Sequence, residues 1–353
     1  MRIFMTADNL GGVWTHALDL VRALAPRGID VSLAVMGEPL TDEQRAELDR
    51  TPLHSWHALA CALEWMPEPW ADVDRSGAWL REIAADVAPD VVHVNGYAHA
   101  ALGWDEPVVL GAHSCVVSWW RAVRGRTPGG ELREYTRRVT AGIAAADVVV
   151  APTRWMLLSL KESYGFNGRG AVVPNGRGGT FTPRTKEPLV VTIGRLWDEA
   201  KNVAALEAVA DDLPCDVVVV GGGAGDRRAH PHRVGRLAPH EVSELLGRAA
   251  IFAEPALYEP FGLAALEAGL AGCALVLGDI PSLREVWGDA ALFVDPRNRD
   301  ALRVTLARLA RDPEACATWG ERARARATRY TLDAMAEGYD ELYAALVAER
   351  VAS

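Results

Sequence analysis

An α/β fold built from two doubly wound halves is predicted by three features of this 353-residue sequence. The chain opens on a strand, a glycine loop, an amphipathic helix and a second strand. A span over residues 174–188 is rich in Gly, Pro and Thr and has no hydrophobic period, so it reads as a linker. Directly after it the strand–loop–helix pattern restarts, as a second doubly wound half would. The length suits two domains of ordinary size, and with 50% of residues hydrophobic there is enough apolar matter for two cores.

In the first half, residues 2–7 read as a strand and residues 13–25 as a helix ended by Gly28. Between them lies Asp8-Asn9-Leu10-Gly11-Gly12, where glycine lets either a ligand or a tight turn come close to the backbone. The turn does not fit G-x-G-x-x-G, so a dinucleotide fingerprint is absent here. Residues 29–35 form the second strand, and Thr41-x-x-Gln44 reads as a capping box. Residues 52–74 read as irregular, with many Trp and Pro, and Asp72-Val73-Asp74 lies there. A D-x-D pair can hold a metal–nucleotide complex, but no strand leads into this one, so solvated loop carboxylates are expected. Ser76 is expected to cap a helix running to Ala88, followed by buried strands at 91–94 and 108–110. His113 comes just past the second of these, where open α/β sheets bind ligands. A ligand contact and a structural hydrogen bond are both open for it; His16, His93 and His99 read as structural.

Nine of the twelve tryptophans precede residue 160, including Trp119-Trp120. Their faces could pack on an acceptor or on the core. Arg121, Arg124, Arg126, Arg133, Arg137 and Arg138 follow; they could meet an anionic acceptor or lipid headgroups, but interleaved with Glu131 and Glu134 they read first as a solvated helix face. Strands at 148–150 and 171–173 close the first half.

The second half opens on a strand at 189–193, the loop Gly194-Arg195-Leu196-Trp197-Asp198-Glu199-Ala200-Lys201-Asn202, and a helix to about residue 211. Arg195 and Lys201 flank a strand-end loop, which suits a diphosphate: arginine as a bidentate fork, lysine as a point charge. Only three lysines occur in the chain, so Lys201 does not read as surface filler. A strand at 217–220 runs into Gly221-Gly222-Gly223-Ala224-Gly225, where Asp226 breaks the dinucleotide pattern. A strand ending at Ala253 then delivers a loop to a short helix over 263–271. Glu259 precedes that helix and Glu267 lies inside it, a spacing of roughly 12 Å by helix rise. That exceeds the roughly 5–9.5 Å of paired glycosidase carboxylates, so the two should hold different parts of one long ligand. Further strands at 275–277 and 291–294 and helices at 299–311, 313–328 and 331–349 complete the chain.

The formal charge of −10 argues against nucleic acid and against a basic membrane-facing surface. Five scattered cysteines with no C-x-x-C fit a reducing compartment and argue against structural zinc. No apolar run approaches the ~20 residues of a membrane span. Met1-Arg2-Ile3-Phe4-Met5 enters a strand directly and does not read as a signal peptide, so a cytoplasmic location is expected.

The stretch Glu259-Pro260-Phe261-Gly262-Leu263-Ala264-Ala265-Leu266-Glu267 resembles the glutamate pair of retaining glycosyltransferases of family 4, the group 1 glycosyl transferases. Gly194-Arg195-Leu196 with Lys201 resembles their diphosphate loop. Val234-Gly235-Arg236-Leu237 resembles the segment that meets the base, and Val173-Pro174-Asn175-Gly176 resembles their inter-domain junction. The resemblance covers nearly the whole chain and is more specific in the second half.

It implies the GT-B architecture: two Rossmann-like domains facing across a cleft. These would be residues 1–178 on the acceptor side and 186–328 on the nucleotide-sugar donor side, with a final helix at 331–350 crossing back. Glu259, Phe261, Gly262 and Leu263 would face the donor sugar and phosphate, the last three through backbone N–H groups. Glu267 would hold the ribose, and Arg236 and Leu237 the base. Arg195, Lys201 and the N–H groups at Gly11 and Gly12 would stabilise the diphosphate. His113 would lie near acceptor and donor sugar, although Ser114 stands where the family often has Asp or His. Trp119 and Trp120 are candidates for the acceptor. The implied reaction moves a sugar from a UDP- or GDP-sugar to a sugar or other hydroxyl compound, with retention. Because Arg195, Lys201 and helix N–H groups already supply positive charge at the diphosphate, neither metal nor cofactor is expected. Membrane contact would be peripheral at most. A nucleotide-sugar 2-epimerase or a non-catalytic nucleotide-sugar binder would share the fold.

Overall fold

The computed structural model describes residues 1–178, 181–222 and 231–352. The chain divides into two compact units: one of Met1–Arg121, Arg126–Gly176 and the chain from Leu332 onward, the other of Ala122–Gly125 and Arg177–Thr331.

The first unit carries strands β1 (Arg2–Asp8), β2 (Asp30–Gly37), β3 (Ser55–Ala60), β4 (Val91–Val94), β5 (Val108–Gly111), β6 (Val148–Ala151) and β7 (Gly170–Val172). They form a parallel sheet in the order β3-β2-β1-β4-β5-β6-β7. Helices α1 (Gly12–Leu24), α2 (Asp42–Arg50), α3 (Trp70–Val87), α4 (Tyr97–Ala100), α5 (Val116–Arg124), α6 (Arg133–Ala145) and α7 (Arg154–Tyr164) connect them. A parallel sheet covered on both faces needs strands apolar throughout. Accordingly every residue of β4, β5 and β6 is buried. The chain order reverses between β1 and β4, so their C-terminal ends open a crevice, the usual ligand position in such sheets.

The second unit repeats the plan. Strands β8 (Glu187–Ile193), β9 (Asp216–Val220), β10 (Arg233–Gly235), β11 (Ala249–Glu254), β12 (Ala274–Gly278) and β13 (Leu292–Val294) run parallel in the order β10-β9-β8-β11-β12-β13. Its switch point lies between β8 and β11. Helices α8 (Val203–Ala210), α9 (Pro239–Arg248), α10 (Leu263–Leu270), α11 (Pro281–Trp287), α12 (Arg299–Ala310) and α13 (Pro313–Ala327) cover the faces. The last helix, α14 (Leu332–Ala352), belongs to the first unit. Met335, Ala336, Tyr339, Tyr343 and Leu346 share a core with α1 and with strands β1, β2 and β4.

Residues 52–74 are irregular only in part, with turns and coil at 61–69. They contain edge strand β3 and the first turn of α3. Ser-Trp-His-Ala-Leu-Ala has no clear alternation, and its pairing with β2, from Ser32↔Ser55 to Gly37↔Ala60, decides the conformation. Helix α3 starts at Trp70, so Ser76 is not its cap. Ser76 lies buried inside the helix and donates to Val73 O at 3.0 Å. Asp72 and Asp74 are helical, not loop, carboxylates. Asp72 accepts from Ala62 N at 2.6 Å and Arg75 at 2.8 Å, and Asp74 accepts from Arg138 at 2.5 Å.

Candidate active site

At the second unit's switch point, β8 delivers the loop with Arg195 and Lys201, and β11 delivers Glu254 and the loop with Glu259. Leu257 N donates to Ala200 O at 2.8 Å, and Asn202 donates to Pro255 O at 2.9 Å and Pro296 O at 2.7 Å. These bonds tie the two loops together. Lys201 Nζ donates to Glu254 Oε1 at 2.6 Å and also to Glu259 Oε2. Burial works against the Lys201 charge, but the two carboxylates outweigh it and the net shift of its pKa is upward. Burial also raises Glu254, with the charge of Glu259 adding to it, whereas for Glu259 the ammonium outweighs burial and the carboxyl is lowered. Arg195 donates to Asp198 Oδ2 at 2.7 Å, and its guanidinium lies 5.4 Å from the Trp197 ring centroid. Asp198 Oδ1 accepts from Ala200 N at 3.0 Å, which fixes the turn between the two cations.

Glu259 folds back over the start of α10. Its Oε1 accepts from Gly262 N at 2.9 Å and Phe261 N at 3.3 Å. Two of the three N–H groups expected to meet the donor, those of Phe261 and Gly262, are therefore occupied by Glu259 itself. The Phe261 side chain is 2% exposed and packs edge-on against Tyr330, so it is core; Leu263 is partly buried against the same cluster. Gly262, at φ +91°, is the N-cap of α10. Because Glu259 stands in a loop ahead of α10, helix rise does not measure its separation from Glu267. The two glutamates do have different cationic partners: Glu267, on α10, accepts from Arg177 Nε at 2.7 Å. Arg236 is exposed after β10, beside Gly222, and Leu237 is partly buried. The near-fingerprint residues Gly223, Ala224, Gly225 and Asp226 lie outside the described residues.

In the first unit, His113 follows β5 and its Nε2 is 2.8 Å from Asn95 Oδ1. Asn95, just past β4, is itself anchored: its Nδ2 donates to Thr6 O at 2.7 Å and its N–H to Thr6 Oγ1 at 2.9 Å. The amide oxygen therefore accepts, and His113 carries its proton on Nε2. Burial lowers His113 to about 4, so the ring is neutral near pH 7. The His16 ring lies 4.4 Å from that of His113, and His93 Nδ1 meets the Tyr343 hydroxyl at 2.7 Å. Gly11, at φ +99°, starts α1 with no side-chain cap and no acid in the first turn; Gly11 and Gly12 are exposed. Trp119 and Trp120 stand together on α5, centroids 6.4 Å apart. Arg126 pairs with Glu131, and Arg137 and Arg138 with Glu134.

Sequence reasoning passed over three residues of these clusters. Glu254 ends an apolar strand, an unusual place for a carboxylate. Arg177 directly follows the junction motif. Asn95 directly follows β4 as His113 nearly follows β5. Among the described residues no group of three or more His, Cys, Asp or Glu is placed to hold a metal ion, and no helix is long and apolar enough to cross a membrane.

Residues 10–177 match the family described as Glycosyltransferase Family 4, and residues 180–326 match Glycosyl transferases group 1. The chain is 27% identical to a glycogen synthase of Mycobacterium tuberculosis over 94% of this chain and 91% of that protein. In structure it is similar to sucrose-phosphate synthase from Thermosynechococcus elongatus, with TM-score 0.81, 19% identity, and 99% and 100% of the two chains covered. It is also similar to Anabaena HepE in complex with UDP-glucose, with TM-score 0.76, 15% identity, and 98% and 100% covered. These neighbours share the GT-B fold of two Rossmann-like α/β units. With both families matched in order along one chain, this protein belongs to the group 1 glycosyltransferases and is a glycosyl-transferring enzyme.

Proposed function

We propose that the enzyme moves a sugar from a UDP- or GDP-sugar to a hydroxyl acceptor with retention of configuration and without a divalent metal. The observation that carries this reading is the Lys201 ammonium held between Glu254 and Glu259, three residues past Asp198 and its partner Arg195. The bond between the anomeric carbon and the leaving diphosphate oxygen breaks, the acceptor oxygen bonds to the same face, and its proton passes to the leaving phosphate. What the protein must supply is charge at the diphosphate and orientation of the groups. Lys201 and Arg195 supply the charge, Lys201 exchanging its bond to Glu259 for a phosphate oxygen while Glu254 keeps it in place. Glu259, so released, turns to the sugar hydroxyls. Glu267 and Arg177 hold the nucleoside. His113 orients the acceptor, and the uncapped start of α1 at Gly11 and Gly12 offers N–H groups to an oxygen of the bound ligands. The test is a panel of nucleotide sugars scored for thermal stabilisation and slow hydrolysis, then for transfer. Stabilisation by UDP- or GDP-sugars, lost in Arg195→Ala and Lys201→Ala, is expected; equal stabilisation in all variants would overturn the assignment.

A further inference from the structure

At the β8–β11 switch point the charges do not balance. Two cations, Arg195 and Lys201, stand against three carboxylates, those of Asp198, Glu254 and Glu259. A diphosphate drawn to Lys201 adds further negative charge at close range, beside a Glu254 carboxylate that is shut off from water. We infer that Glu254 takes up a proton from solvent when the nucleotide sugar binds, and that this proton balances part of the charge the diphosphate brings. The inference rests on the proposed donor site at Lys201 and adds its linkage to pH.

Position singles out Glu254 among the three carboxylates. Asp198 uses both oxygens, Oδ1 towards Ala200 N at 3.0 Å and Oδ2 towards Arg195 at 2.7 Å. Glu259 stands in a loop and accepts from Lys201, Phe261 and Gly262. Glu254 instead ends β11, fixed by its pairing with Leu277 of β12. It is 1% exposed; its Oε1 accepts from Lys201 Nζ at 2.6 Å, while Oε2 is buried without a hydrogen-bond partner. An ionised carboxylate so placed is only half satisfied, and the neutral acid costs less to bury. A proton on Oε2 removes the charge, yet Oε1 still accepts from Lys201, so the ammonium stays aimed at the phosphate.

The groups facing Glu254 leave it the one most ready to take a proton. Burial raises its carboxyl; Lys201 opposes this, and the charges of Glu259 and Asp198 add to it. Lys201 and Asp198 come from the loop after β8 and Glu259 from the loop after β11, while β12 brings Leu277, which does not titrate. Lys201 is shifted upward on balance despite its burial, and Glu259, where the ammonium outweighs burial, is lowered, so both keep their charge near neutral pH. Once Lys201 also serves a phosphate oxygen, its hold on the Glu254 anion weakens and the proton is favoured.

Uptake on binding makes donor affinity greatest at low pH and lowers it as pH rises, by at most about tenfold per pH unit for one proton. The experiment is calorimetry of UDP-glucose and GDP-mannose, whose esterified diphosphates have no proton to lose near neutral pH. It uses the wild type and Glu254→Gln from about pH 6.5 to about pH 8.5, and at one pH in buffers of different ionisation enthalpy. For the wild type the buffer series should report net proton uptake, and Kd should rise severalfold per pH unit. Glu254→Gln, neutral throughout, should bind the same nucleotide sugar with a Kd that does not change with pH and with no net uptake. The wild-type buffer series needs no variant, so it decides even where the amide disturbs β11. Wild-type binding without uptake, or uptake that persists in Glu254→Gln, would overturn the inference and leave the donor site standing. A folded Glu254→Gln protein that no longer binds would overturn it as well, because the charge on Glu254 would then be required. Absence of binding by either nucleotide sugar to the wild type would instead count against the diphosphate assignment at Lys201, and the inference would fall with it.

Discussion

Lys201 Nζ donates to Glu254 Oε1 at 2.6 Å, and Glu254 is 1% exposed, its other oxygen without a hydrogen-bond partner among the described residues. A buried carboxylate stripped of its counter-charge is destabilising by about 3–5 kcal/mol. Lys201→Ala should therefore lose stability of that order in denaturant titration. The double variant Lys201→Ala/Glu254→Gln should regain much of it, because the amide carries no charge. If the second change restores nothing, Glu254 is not what holds the lysine.

The two glutamates should separate in function. Glu267→Ala removes the partner of Arg177 and should weaken bare nucleoside diphosphate binding roughly tenfold or more, as loss of a charged hydrogen bond implies. Glu259→Ala frees Lys201 for phosphate, so nucleotide affinity should hold or rise while transfer falls. Calorimetry showing both variants equally defective towards the bare nucleotide would contradict this division.

His113→Ala should impair transfer with nucleotide binding intact. Since burial lowers its pKa to about 4, His113 should leave the transfer rate flat from pH 8 down to about pH 5. A rate that falls with a midpoint near 6.5 and becomes flat in the alanine variant would show a protonating imidazole and refute the neutral tautomer.

The fold should weaken in acid through the same histidines. Burial lowers His93 to about 3 and His99 and His113 to about 4, while in the unfolded chain they titrate near 6.5. A depressed folded pKa gives stability that is complete above about pH 6.5 and is lost as pH falls through about 4. At pH 5 the loss is about 2 kcal/mol for each histidine. Thermal unfolding at pH 7.5 and pH 5 checks this, and His93→Phe should reduce the difference.

Much of the architecture was legible because buried parallel strands read as apolar runs: Val91–Val94 and Val148–Ala151 name themselves. Edge strand β3 did not, because its half-exposed side chains follow the neighbour they pair with. Glycine and charge at a strand end marked Arg195 and Lys201, beside the second unit's switch point, and position just past β5 marked His113. The sequence could not show that Glu259 turns back to bond Phe261 and Gly262 N–H groups, since that depends on loop geometry. Nor could it show Glu254, Arg177 and Asn95 as partners, because each meets its partner only through tertiary folding. His99 read as a plain structural histidine, and that its Nδ1 is buried without a hydrogen-bond partner shows only in the folded chain.

On the proposed mechanism, Lys201 and Arg195 carry the diphosphate charge without a metal. Asp72 and Asp74 are engaged with Arg75 and Arg138, and Asp198 with Arg195, so these carboxylates are already committed. The most direct measurement is donor-sugar turnover in excess chelator, for the wild type, Arg195→Ala and Lys201→Ala/Glu254→Gln. Wild-type turnover should persist under chelation and change little on adding Mg²⁺ or Mn²⁺, and it should fall roughly 10²–10³-fold in each variant. Turnover abolished by chelator and restored by one metal would contradict it and turn attention to Asp198 and Glu199.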